Sequence, residues 1–87
     1  MINTVAMTGK IIEISDGNTY YVGVIECNEE QFYVLFDSNS LPDTNTVNNK
    51  YVNINGVLQH FKHKWREKDD YTIELGIFVR RLEVYDL

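Results

Sequence analysis

Residues 60–68 set His60, Phe61, Lys62, His63, Lys64, Trp65, Arg66 and Lys68 side by side, interrupted only by Glu67. Cations interleaved with flat rings suit one kind of ligand. A single strand of nucleic acid presents phosphates, which a positive groove neutralises, and unpaired bases, which stack on aromatic side chains for about 1–3 kcal/mol each. The competing interpretation is a solvated basic loop with Trp65, the only tryptophan, folded back onto the body.

Further aromatic residues lie in segments of β character. Tyr20 and Tyr21 are adjacent, so alternation sends one ring inward and the other outward. If Phe32, Val34 and Phe36 fill a core, Tyr33 points out and is available to stack a base; a cross-strand or subunit contact is the bland alternative. Lys10 and Arg80 add phosphate contacts if they share that face, whereas Arg81 is placed to pair with carboxylates. The candidate nucleic-acid-binding set is therefore Lys10, Tyr33, His60, Lys62, Lys64, Trp65, Arg66, Lys68 and Arg80.

Catalysis finds little support. No glycine-rich phosphate loop or nucleophile elbow occurs, and Cys27 falls inside an expected strand, where a buried thiol is inert. His60 and His63 with Asp69 or Asp70 would make a poor metal shell, and Asp69-Asp70 suit the end of a hairpin better. A non-enzyme without metal or cofactor is expected.

The elements that must position these residues are strands. Residues 3–14 alternate apolar positions at Val5, Met7, Gly9 and Ile11. A turn at Ser15-Asp16-Gly17-Asn18 leads to residues 19–27, and Asn28-Glu29-Glu30 joins that run to residues 31–37 as a hairpin. Residues 38–50 are polar, with the single proline, Pro42, and predict a loop or one helical turn. Residues 50–61 alternate again, with Val52, Ile54, Gly56 and Leu58 on one face. In the last run, residues 71–85, the inward set Ile73, Leu75, Ile77 and Val79 is out of phase with Leu82 and Val84, which predicts a one-residue bulge near Arg80-Arg81. Val5, Met7, Val52, Ile54, Leu58, Ile73, Leu75 and Ile77 are the expected core.

Eighty-seven residues, 44% hydrophobic and 13% aromatic, suit one domain over residues 1–87, with no stretch near the roughly 18 apolar residues of a membrane helix and no signal-peptide pattern at the start. A cytoplasmic setting is expected. Five strands with glycines inside them, Gly9, Gly23, Gly56 and Gly76, predict an all-β fold: a five-stranded antiparallel barrel of the oligonucleotide/oligosaccharide-binding (OB) type, with an SH3-like barrel as competitor. Charge is divided: residues 60–68 hold four cations and one anion, while the rest holds four cations and twelve anions. That acidic body supports an alternative function, a protein-interaction module acting as accessory factor or inhibitor through its acidic surface.

The run N-T-V-A-M-T-G-K-I at 3–11 resembles the first strand of bacterial and phage single-stranded DNA-binding proteins, K-Y-V-N-I-N-G-V-L at 50–58 is similar to their fourth, and L-G-I-F-V-R-R-L-E-V-Y at 75–85 to their last. The set also resembles primosomal replication protein B. The resemblance implies an OB barrel that binds single-stranded DNA, or RNA, in replication or in phage and mobile-element DNA metabolism, with the hairpin after the fourth strand wrapping the ligand. Residues 38–49 depart from the pattern, standing where the family has a helix, and the partner-recruiting role of the family's acidic, glycine-rich tail is not expected of residues 1–87, which end directly after the last strand. A barrel this small buries only about 60–65% of its unfolded surface. A homodimer or homotetramer, paired through the first strand at Ile11-Ile12, is therefore expected.

Overall fold

A computed structural model describes residues 3–15, 20–37, 44–65 and 70–85. Among the described residues five strands form in chain order: β1 (Thr4–Ser15), β2 (Tyr20–Cys27), β3 (Glu30–Asp37), β4 (Tyr51–Trp65) and β5 (Asp70–Tyr85), with a 3-10 turn at Thr44–Thr46. They close into a barrel in the order β1-β2-β3-β5-β4. Four pairings are antiparallel as expected. The fifth, β3 with β5, is parallel and spans only Tyr33↔Gly76 to Leu35↔Phe78. This strand order and closure are those of the OB barrel.

β1 closes the ring by serving two neighbours. Its first part, from Thr4 to Lys10, pairs with β4, and from Lys10 onward it pairs with β2. A bulge at Ile12 separates Ile11↔Ile25 from Glu13↔Val24 and bends the strand between partners. It also changes the expected pairing surface: Ile11 is fully buried in the core, so only half-buried Ile12 remains at the outside. The backbone of Ile11 is bonded by the segment before β4, through Asn49 N–H to Ile11 O at 2.8 Å and Ile11 N–H to Lys50 O at 3.0 Å. That tether inserts Val47 into the barrel beside Ile11, Ile25, Val34, Phe36, Val52, Ile54, Ile77 and Val79.

The predicted bulge in the last strand is present. Asn55 pairs with Arg81 and Gly56 with Val79, which leaves Arg80 as the extra residue and returns Leu82 to the core side. Gly56 is required there, because a Cβ would collide with the carbonyl oxygen of Phe78. The β2–β3 connection is a two-residue turn in which Asn28 and Glu29 both have positive φ, 52° and 69°, the geometry of a type I′ hairpin.

Three expected core residues are not in the core. Leu58 is 40% exposed, Leu75 51% and Ile73 61%. The β4–β5 ladder continues out to Trp65↔Asp70, whereas β3 crosses β5 only at residues 76–78. Past that crossing, where Ile73 and Leu75 lie, the two strands form a projecting ribbon with no layer beneath it among the described residues, and Leu58, paired with Ile77, stands at its base. Val52, Ile54 and Ile77 are buried as expected, and Val5 and Met7 pack half-buried against the core. Phe32, expected inside, is exposed at the start of β3.

Candidate nucleic-acid interface

The ribbon turns most of the expected basic loop into strand. Residues 60–65 belong to β4, each paired across the ladder: His60↔Leu75, Phe61↔Glu74, Lys62↔Ile73, His63↔Thr72, Lys64↔Tyr71 and Trp65↔Asp70. Alternation then sorts the cluster onto two faces. Phe61 and His63 take the outer face of the barrel. His60 and Lys62 share the other face with Leu58, Ile73 and Leu75. Arg66 and Lys68 lie outside the described residues, as do the side chains of Lys64 and Trp65.

On the outer face three rings converge. Tyr33 of β3 meets Phe61 edge-on, with centroids 5.6 Å apart and planes at 78°, and the His63 ring lies 5.5 Å from Tyr33, tilted by 38°. Phe61 and His63 are 6.0 Å apart at 79°. These rings come from β3 and β4, and β5 runs between those strands. They touch because Gly76, paired with Tyr33 in register, has no side chain. A Cβ at Gly76 would stand 2.7 Å from Leu35 Cδ1 and 2.9 Å from Phe61 Cε1. The same gap buries Leu35 from the outer side, although it alternates with core residues Val34 and Phe36. One step along the face, Tyr20 packs edge-on against Phe78 at 5.1 Å and 85°. Tyr21, its neighbour, packs against the core, so the adjacent pair divides as alternation requires.

Tyr33 thus occupies the outward position that its parity predicts. Arg80 is exposed two residues beyond Phe78 on β5, and Lys10 is half-buried on β1 between Glu26 of β2 and Tyr51 of β4, away from the three-ring cluster. Phe78 was not among the expected residues. Its signal was its parity with Gly76, opposite to the inward set of β5. Carboxylates edge the rings: the Tyr33 phenol is held above its ordinary ionisation range by burial first, then by the charges of Glu74 and Glu13. Cys27 is half-buried, at the end of β2. Among the described residues no group of three or more His, Cys, Asp or Glu is arranged to hold a metal ion, and His60 and His63 fall on opposite faces.

Rings clustered edge-on on the outside of an OB barrel offer apolar faces of the kind on which planar ligands stack. Solved structures share this architecture. A chain of a replication protein A heterotrimer bound to ssDNA matches with a TM-score of 0.67 at 18% identity, over 98% of this chain and 59% of that one. The mitochondrial single-stranded DNA-binding protein Rim1 of S. cerevisiae matches at 0.68 and 8% identity, over 97% and 95% of the two chains. The dimeric N-terminal domain of PriB from Thermoanaerobacter tencongensis matches at 0.67 and 18%, over 98% of each. The fold is the one these proteins share. No protein-family model matches the sequence, and no curated protein matches it.

Proposed function

We propose that this protein is a non-catalytic binder of single-stranded DNA, acting in replication or in phage and mobile-element DNA metabolism. The observation that carries this reading is the pair of aromatic clusters, Tyr20–Phe78 and Tyr33–Phe61–His63, on one outer face of an OB barrel. Bases stack on those rings. Arg80, exposed two residues beyond Phe78 on β5, neutralises a phosphate beside the rings, and Lys62, exposed on the ribbon's other face, meets the strand where it leaves them. The likeness to a replication protein A heterotrimer bound to ssDNA and to the single-stranded DNA-binding protein Rim1 supports the same reading. Self-association as a homodimer or homotetramer belongs to the proposal. It is supported by the likeness to the dimeric N-terminal domain of PriB.

The deciding experiment is the anisotropy of a labelled mixed-sequence oligonucleotide, titrated with protein at two salt concentrations. Binding that weakens steeply with salt is expected. Absence of binding even at low ionic strength would overturn the reading in favour of a protein-interaction module acting through the acidic body.

A further inference from the structure

The stacking surface is not uniformly attractive to nucleic acid. Glu74, half-buried, is the direct cross-strand partner of Phe61 and lies two residues from Gly76, so it shares the face of the ring cluster. Directly paired residues bring their Cβ atoms to about 4.5–5.5 Å, close enough for the carboxylate to stand at the rim of the rings. Glu13 stands on the opposite side of Tyr33, one strand removed, in the row Glu13↔Val24↔Tyr33. Both charges are felt at the Tyr33 phenol, Glu74 more strongly. A phosphate is repelled from this spot, so the group that settles on the rings must be a base, not the backbone.

An ionised carboxylate only accepts hydrogen bonds. A base stacked against Phe61 and Tyr33 turns an edge toward Glu74, and the edges differ. Cytosine, adenine and guanine present exocyclic amines that donate. Thymine and uracil present two carbonyl oxygens flanking one N–H, and those oxygens repel a carboxylate. We propose that Glu74 reads the edge of the base held on the Tyr33–Phe61–His63 platform and selects bases carrying an exocyclic amine over thymine and uracil. The inference rests on the single-strand-binding reading above and adds to it a residue that determines base preference.

Oligo-dC and oligo-dT separate the two ideas, because both are flexible pyrimidine strands with the same phosphate charge. Their affinities are compared at equal length and fixed salt at pH 8, where carboxylates are ionised and oligo-dC stays single-stranded. A carboxylate–amine contact worth about 1.4 kcal/mol corresponds to about tenfold tighter binding of oligo-dC. Glu74→Gln, close in shape and on a half-buried strand position, is expected to bring the ratio near one. If Glu74 acted only through its negative charge, removing it would tighten both strands alike and leave the ratio unchanged. Equal affinities for the unsubstituted protein would overturn the inference while leaving single-strand binding intact. A ratio that persists in a folded Glu74→Gln protein would overturn the assignment to Glu74. Failure to bind either strand at low ionic strength would remove the single-strand reading and this inference with it.

Discussion

Strands β4 and β5 contain two regions built on the same alternation with opposite outcomes. In the barrel, Val52, Ile54, Ile77 and Val79 are sealed from water. In the ribbon, Ile73 and Leu75, with Leu58 at its base, continue the same inward parity and remain exposed. Side-chain type does not separate them, since both sets are β-branched or aliphatic. The separation comes from the third layer: β1, β2 and β3 stand across the barrel from the first set, and none of the described strands stands across from the second. The ribbon's outer face, by contrast, is partly covered, because Tyr33 reaches over Gly76 to Phe61. Core and platform are therefore made by different contacts, and substitutions should distinguish them.

The sharpest test compares like residues. Ile54→Ala removes a fully buried side chain and is expected to cost about 2–5 kcal/mol in urea unfolding. Ile73→Ala, on the ribbon, should stay within about 0.5 kcal/mol if the protein is a monomer under the assay conditions. Equal losses would mean that the ribbon face is covered in solution, and would point to self-association.

Next comes the gap beneath the platform. Gly76→Val drives branched carbons into Leu35 and Phe61, with an expected destabilisation of about 1–3 kcal/mol. Oligonucleotide binding should fall with it, because the rings can no longer meet over β5.

Removing the rings themselves should affect binding more than stability. Tyr33→Ala or Phe61→Ala is expected to weaken single-strand binding by about 1–3 kcal/mol with the salt slope nearly unchanged. Lys62→Ala, on the other face of the ribbon, should instead reduce the slope of log K against log salt by about 0.7 if it meets one phosphate. A ring substitution that flattened the salt dependence would contradict this division of labour.

The smallest expected effect is in alkali. The Tyr33 phenol ionises above the usual tyrosine value because of burial, then Glu74, then Glu13. A raised value in the folded state means that the stability from the neutral phenol is fully present below about pH 10 and is lost as pH rises through the folded value. Difference absorbance against Tyr33→Phe isolates this titration. Glu74→Gln should move it downward, since it removes the larger of the two charge effects.

Much of this arrangement was legible in the chain. The phase change between Val79 and Leu82 located the bulge that the structure places at Arg80, and the parity of Val34 and Phe36 sent Tyr33 outward. The ring cluster was only half visible. Phe61, His63 and Tyr33 could be named, but their meeting depends on a parallel pairing of three residues between β3 and β5, and short parallel contacts carry no local pattern. The grouping of His60 and Lys62 with Phe61 and His63 came from treating residues 60–68 as a loop. Once the ladder extends to Trp65, neighbours in sequence become opposites in space. Val47 was illegible for another reason: a single valine in a polar run has no periodicity, and only its insertion beside Ile11 reveals it as core.

What the sequence determined by itself is which side chains share a face, because in an extended chain that is a local property with period two. It also determined where the chain turns and where its phase slips. Only the tertiary structure decided which of those faces are shut away from water, since that depends on how far each strand runs beside a third. The β3–β5 crossing ends at Tyr33↔Gly76. On one side of that pair alternation makes a core, and on the other it makes a ribbon with an exposed inner face and an outer face that carries the ring cluster.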